Sequence, residues 1–412
     1  MNKIALAPIT GGQYSLIRAL LGIYLCIHFV HLMPYGKEIF SNEGILPASL
    51  SPLLGIIPNP LQFYDSPTVV LCLLTLGSAA SVLLMVGKYD RIAAIVITII
   101  LGWLYARNPL IANPSLPVVG WMLVAHACLP KAPFGSLAAR NAPEQWLQWH
   151  FPKGIWIAAW ILLAVAYSYS GYTKLLSPSW VDGSAISLVL ENPLARDHFA
   201  NDLLLAMPDI VLKLLTWSVM IVELVFVALC CFSVTRKWAW CVMLLVQLGF
   251  LTFLNFADLT FPMLLIHLLT FDRRWLTQSQ ENNAVLFYDG ECAFCNSTVK
   301  FLLAEDHADT LEYSTLNGNT FVERGLRKPV DDSIVVLTES GRELHKSDAM
   351  LFCCKSIGGV WAIMASALSI VPTIVRDSVY DGIGKIRYKL AGRVEENQCR
   401  LLPAEYSRRF LP

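Results

Sequence analysis

The sequence predicts an α-helical membrane bundle of about eight transmembrane helices followed by a small α/β domain, and three observations carry that prediction. The chain has 412 residues, of which 55% are hydrophobic and only 15% charged, with a mean hydropathy of +0.53. That balance lies outside the range of ordinary soluble domains. Long apolar runs follow one another through the first 275 residues, and after them short apolar strands alternate with helical stretches, the signature of an α/β sheet. The 31 basic residues equal the 31 acidic ones, so net charge supplies no reason for nucleic acid or another polyanion as partner.

The elements follow in order. Apolar runs able to cross a hydrocarbon core of ~30 Å lie at 14–35, 67–87, 92–106, 115–130, 154–176 and 208–235. The stretch from Trp238 to Phe271 is too long for one upright helix and carries Asn255 and Asp258 near its middle, so it divides there into a seventh and an eighth span. The first run is long and flows into further apolar segments, unlike a removable signal peptide. Lys3, Lys88, Arg91, Lys131, Arg140, Lys153, Arg236, Lys237, Arg273 and Arg274 fall on one side of these spans, against Lys37, Arg107, Lys174 and Arg196 on the other. Cytoplasmic loops carry the basic excess, which places both termini in the cytoplasm of an integral membrane protein, expected in a bacterial inner membrane.

Residues 1–275 therefore form the membrane domain, 276–283 a polar linker (TQSQENN over Thr277 to Asn283), and 284–412 the small domain. In the last, AVLFYD, TLEYSTL, DSIVVLT and RELHKSD read as strands, CNSTVKFLLAED as a helix, and Ala349 to Tyr388 as further helix. The stretch Gly358 to Val375 is as apolar as a span, but Pro372 and polar flanks assign it to a domain or interfacial helix.

Of eleven cysteines, Cys26, Cys72, Cys128, Cys230, Cys231 and Cys241 lie inside apolar runs, where a cysteine behaves as a small hydrophobe. Cys292, Cys295, Cys353, Cys354 and Cys399 remain, an odd set without framework spacing, which argues against a secreted disulfide scaffold. Cys292 and Cys295 stand in FYDGECAFC. The strand ends at Tyr288, Asp289-Gly290 turns the chain, and Cys292 falls at the first turn of the next helix. Unpaired N–H groups and the positive end of the helix dipole stabilise a thiolate there. Cys295, three residues on and expected to sit more deeply, is placed to attack a mixed disulfide formed at Cys292. C-x-x-C is also half of a zinc site, and an inert buried pair has the same spacing. His307, His345, Cys353, Cys354 and Cys399 supply no second closely spaced pair, so no metal is assigned.

The D-G-x-C-x-x-C segment, SDAMLFCCKSIGG (Ser347 to Gly359), RDSVYDGIGKIRYKLAG (Arg376 to Gly392) and Cys399 together resemble the DCC family of thiol-disulfide oxidoreductases over about residues 284–412. The resemblance implies a thioredoxin-like fold, with Asp289, Cys292 and Cys295 as the motif, Cys292 as attacking thiol and Cys295 as resolver. The cis-proline of thioredoxins has no counterpart before the third strand, where Ser333 stands. The stretch YSYSGYTKLLSPSWVDGSA (Tyr167 to Ala185) resembles the HTTM domain, a membrane module related to vitamin K-dependent γ-carboxylase. The match falls on Gly171, Lys174, Leu175, Trp180 and Gly183, within a pattern spanning roughly 10–275. It implies Lys174 as a base toward a reduced quinone, a role open to a desolvated lysine. Taken alone, the residues equally suit a snorkelling lysine and a belt tryptophan. The loop ARNPLIANPSL holds Arg107, Asn108 and Asn113 but no histidine, and the carboxylase substrate region is missing, so glutamate carboxylation is not expected.

Among polar residues inside spans, Glu223 is a proton relay, a lysine partner or a helix-packing hydrogen bonder. His28 and His31 suit metal, haem or packing, and His126, Asp258 and His267 are equally open. The expected function is a membrane-anchored thiol-disulfide oxidoreductase with a thiol or disulfide partner and a quinone or exported peptide in the membrane half. The alternative is a scaffold, transporter or peptide-maturation factor with a redox-sensing or zinc-stapled C-terminal module.

Overall fold

The computed structural model describes residues 9–53, 56, 58–111, 113–140, 146–147, 149–276, 284–329, 333–391 and 404–412. The linker at 277–283 and Cys399 lie outside them. Each apolar run of the first part folds as a helix: α1 (Gly11–Leu32), α2 (Pro67–Val86), α3 (Asp90–Arg107), α4 (Leu116–Cys128), α5 (Lys153–Leu175), α6 (Asp209–Cys231), α7 (Ser233–Phe253) and α8 (Ala257–Thr270). The ends follow from local chemistry. Ser66 caps α2 by accepting from the Val69 N–H, Pro67 occupies its first turn, and Gly87, at φ +71°, closes it in the left-handed conformation. Between α7 and α8 the backbone stops being helical at Leu254, and the loose groups are taken up by another loop. Asn255 N–H donates to the Leu194 carbonyl at 2.7 Å and Arg196 N–H to the Phe253 carbonyl at 2.8 Å.

Length and apolar character support five of the eight expected spans. Among the described residues five helices are long and apolar enough to cross a membrane: Gly11–Phe40, in which α1 continues through a short 3-10 turn, then α2, α5, α6 and α7. Helix α3 carries Asp90, Arg91 and Arg107 within 18 residues, and α4 and α8 have 13 and 14 residues, short of the ~20 that a span needs. The apolar segment near Pro372 is two helices, Gly359–Leu368 and a second from Thr373, bent by 115°. Counted as one span it makes six. The chain is thus a largely helical membrane protein that ends in a small sheet domain.

The chain divides into two compact units. One comprises 1–7, 16–129 and 152–271, the other 8–15, 130–151 and 272–412. Within the first, α5 and α6 approach closely because Gly171 has no side chain: a Cβ there would lie 2.3 Å from the Leu224 nitrogen. Arg107 is fully buried and ties two loops together, donating to Asp65 and to the carbonyls of Ser41 and Leu46.

The second unit is built on β1 (Ala284–Tyr288), α9 (Ala293–Glu305), β2 (Leu311–Thr315), α10 (Asn319–Glu323), β3 (Val335–Leu337), β4 (Glu343–His345), α11 (Lys346–Ile357), α12 (Gly359–Leu368) and α13 (Thr373–Ala391). The sheet order is β2-β1-β3-β4, with β1 and β2 parallel and the other pairs antiparallel. All five residues of β1 are buried, as a central strand covered on both faces requires. The outer edge of β2 is covered by the C-terminal residues, since Tyr313 N–H donates to the Arg409 carbonyl and Leu411 N–H to the Tyr313 carbonyl, each at 2.8 Å. The stretch RELHKSD, expected as a strand, is strand only to His345, and Lys346, at φ +48°, begins α11.

Candidate active site

The site is the strand–turn–helix junction between β1 and α9. Asp289 shapes the turn, its Oδ1 accepting from the Glu291 N–H at 3.0 Å and its carbonyl from the Cys292 N–H at 3.3 Å. Gly290 passes close beneath: a Cβ there would lie 3.0 Å from Thr315 Cγ2. Cys292 is the N-cap of α9, and its Sγ accepts the Cys295 N–H at 3.4 Å. The cap position normally filled by Ser, Thr, Asp or Asn is here filled by sulfur. The Sγ thus stands against the positive end of the helix, at the first turn of α9. Both cysteines are thiols in this structure.

Depth is the correction to the sequence reading. Cys295 was expected to be the deeper of the two, yet Cys292 is 0% exposed and Cys295 5%. The leading sulfur is held against the helix end, where it accepts the Cys295 N–H. Glu291 and Phe294 form the exposed rim instead. Both cysteines belong to a core that includes Trp146, Leu302, Tyr313 and Cys353.

Asn296 is a site residue that the sequence reading passed over. Its Nδ2 donates to the Gly290 carbonyl at 2.8 Å and the Cys292 carbonyl at 3.0 Å, locking the turn onto the first turn of the helix. An asparagine is a poor residue for a helix interior, and its place directly after the second cysteine was the available signal.

The other thiols of this unit are quieter. Burial pushes the fully buried Cys353 thiol well up and raises that of Cys354 to about 11, so at neutral pH both remain protonated and unreactive. Among the described residues no three His, Cys, Asp or Glu side chains stand together as metal ligands. Ser333, just before β3, is buried, and the described residues contain no cis peptide bond.

At the far end of α9, Glu305 is buried and accepts from the Gly12 N–H at 2.7 Å, from Trp361 Nε1 at 2.6 Å and from the Thr10 hydroxyl. Burial nevertheless raises its carboxyl above the ordinary value of 4.5, with those donors pulling the other way. The native unit therefore binds more protons than the unfolded chain just above that value. Its stability gains from Glu305 protonation below pH 4.5 and loses that gain as pH rises through the native value. Glu305→Gln is expected to flatten this dependence from pH 4.5 upward and to lower stability at pH 7 by about 1–3 kcal/mol, because one donor is left facing an amide N–H. Thermal unfolding of wild type and variant across that range checks it, and parallel curves would contradict it.

In the membrane unit, Lys174 Nζ lies 2.5 Å from Glu223 Oε2 and 2.8 Å from Ser170 Oγ, and 4.8 Å from the centroid of the Trp180 ring. Of the roles open to Glu223, partner of a lysine is the one that the structure displays. Gly171, one turn before Lys174, permits the approach, and Gly183, at φ +87°, packs against Lys213 and Trp217. His28 is turned to Asp258, with both carboxylate oxygens 3.2 Å from Nδ1. His126 lies 3.5 Å from Asp90, and His267 Nδ1 2.8 Å from the Met263 carbonyl.

Comparison with known proteins bears on the second unit. The profile of the DCC1-like thiol-disulfide oxidoreductase family matches residues 286–393. The uncharacterized protein YuxK of Bacillus subtilis is 33% identical over 141 residues, which are 33% of this chain and 100% of that protein. A chloroplastic DCC family protein of Arabidopsis thaliana is 32% identical over 125 residues, 30% of this chain and 72% of the relative. No solved structure matches.

Proposed function

Because this chain belongs, through its C-terminal region, to the DCC1-like thiol-disulfide oxidoreductase family, we propose that it is a membrane-anchored thiol-disulfide oxidoreductase whose dithiol is Cys292 and Cys295. The observation that carries this is the cap geometry, with one sulfur at the start of α9 bonded to the N–H of the residue bearing the other. The β-α-β-α-β-β-α order and the β2-β1-β3-β4 sheet support a thioredoxin-like reading.

In this mechanism the Cys292 thiolate attacks one sulfur of a partner disulfide. The partner S–S bond breaks and one partner thiolate leaves. Cys295, after losing its proton, attacks Cys292 Sγ, forming the Cys292–Cys295 disulfide and expelling the second partner thiolate. Two electrons pass from the dithiol to the partner, and the reverse sequence oxidises a dithiol partner. Asp289 and Asn296 act as positioning residues that hold the turn. Because Cys292 is buried, the rim at Glu291 and Phe294 has to yield before a partner sulfur reaches it.

Cys295→Ser tests the assignment of roles. It removes the resolver and is expected to accumulate a covalent adduct at Cys292, seen as a dithiothreitol-sensitive mass increase after exposure of the full chain to glutathione disulfide. The adduct is absent from the Cys292→Ser/Cys295→Ser double variant. A Cys295→Ser chain that stays unmodified at Cys292 would overturn the order of attack.

For the membrane unit the proposal extends to a lipid-soluble substrate, a quinone or an exported peptide, handled at the Lys174–Glu223 pair. What supports it is the resemblance to the HTTM module together with the contact of Lys174 to Glu223 and Trp180. In this reading Glu223, Ser170 and Trp180 orient Lys174 Nζ as the base that meets the substrate.

A further inference from the structure

Toward the other end of α5 from Lys174, roughly 25 Å away along the helix, the bundle holds a cavity of about 300 Å³. Trp156, Trp160 and Ala164, spaced four residues apart, form one wall along α5, and Val227 and Cys230 of α6 form the other. Small Ala164 leaves the space between the two helices unfilled. Arg236, in the first turns of α7, closes one end: its Nε donates to the Cys230 carbonyl at 2.7 Å and its guanidinium lies 5.8 Å from the centroid of the Trp160 ring.

Two residues of this cavity carry donors with no acceptor among the described residues. The indole N–H of Trp156, a residue only 8% exposed, has no hydrogen-bond partner among the described residues. The terminal nitrogens of Arg236 likewise donate to no group among them. No carboxylate lines the space. An unpaired buried donor and a cationic fork beside one apolar cavity suit an anionic oxygen acceptor.

The outer rim decides which anion. Ile157, Ile161 and Val165 border the cavity and are exposed, as they would be on a helix face turned to hydrocarbon. A rim of that character admits an acyl chain sideways from hydrocarbon. Lys153 opens the same end of α5 as Trp156, adding to a positive field of the kind that attracts anionic headgroups.

We propose that this cavity binds one anionic glycerophospholipid, its phosphate held by Arg236 and the Trp156 indole N–H and an acyl chain lying along Trp160, Ala164 and Val227. The site clamps α5, α6 and the start of α7 together, and so supports the helix pair that carries Lys174 and Glu223.

Native mass spectrometry of the full chain in detergent, titrated with phosphatidylglycerol, tests the site. The wild type is expected to retain one lipid at low occupancy of the micelle. Arg236→Gln is expected to weaken retention about tenfold and Trp156→Phe, which keeps the ring and loses the donor, about threefold. Lys237→Gln, adjacent in sequence but directed at Trp238, is expected to stay within about twofold of wild type, as a residue outside the cavity should. Each variant is read at wild-type elution volume and melting temperature. Should Arg236→Gln not fold, Trp156→Phe decides. Wild-type retention in Trp156→Phe and in any folded Arg236→Gln overturns the proposal, and so does a loss in Lys237→Gln equal to that in Arg236→Gln, which would mark diffuse surface charge.

Discussion

Replacing Cys292 by serine is expected to lower the rate of disulfide exchange by about three orders of magnitude or more, because a hydroxyl in the same place is almost wholly protonated and a weaker nucleophile toward sulfur. The variant should fold, since serine is a good helix N-cap and accepts the Cys295 N–H in place of Sγ. That separates the chemical role of the sulfur from its capping role. The measurement is the reduction of a chromogenic aromatic disulfide by the full chain in detergent, with circular dichroism as the control for folding. A residual rate within tenfold of wild type would mean that another thiol carries the activity. Cys353 and Cys354 are poor substitutes, because burial keeps both protonated at neutral pH.

Arg409→Ala is expected to be the most destabilising single change in the second unit. The guanidinium is buried against Asp306, donates to the Leu311 carbonyl at 2.7 Å and lies 5.3 Å from the centroid of the Tyr313 ring. Asp306 in turn accepts the N–H groups of Thr310 and Leu311 at 3.1 and 2.9 Å, holding the turn that leads from α9 into β2. Removing the arginine strands a buried carboxylate and releases the segment that covers the edge of β2. The cost should be about 3–5 kcal/mol. Arg409→Lys should restore little, since an ammonium cannot reproduce the fork. Hydrogen exchange at 311–315 in the full chain reads this directly, and unchanged protection in Arg409→Ala would refute the role.

The parts of this arrangement legible in the sequence are those fixed by neighbours along the chain. An apolar AVLFY run, an Asp-Gly turn and a helical pattern place Cys292 at a helix start with no knowledge of the rest of the fold. The break near Asn255 was legible because a polar pair interrupts an apolar run. What was not legible depends on distant segments. The burial of Cys292 reflects a core to which Ala132 and Trp146 contribute, residues that read as bundle loops but belong to the second unit. Thr10 and Gly12, hydrogen-bonded to Glu305, lie just ahead of the expected first span, in what read as the membrane domain. The contact of Lys174 with Glu223 rests on one glycine, Gly171, whose reason is the Leu224 backbone on another helix. Among the described residues five or six helices are long and apolar enough to cross a membrane, fewer than the eight expected, because hydropathy marks where apolar residues run, while the point at which α8 begins depends on tertiary contacts such as the loop pairing at Asn255.

The central claim is that Cys292 and Cys295 form one reversible redox couple. The most direct test equilibrates the full chain in glutathione buffers of graded potential, quenches with an alkylating agent and maps the 284–305 peptide by mass spectrometry. The account predicts that the two cysteines pass together, in a single two-electron step, from doubly alkylated to internally disulfide-bonded while Cys353 keeps its thiol. Two cysteines that remain separately alkylatable at every potential, or that each take up glutathione without ever joining, would contradict it.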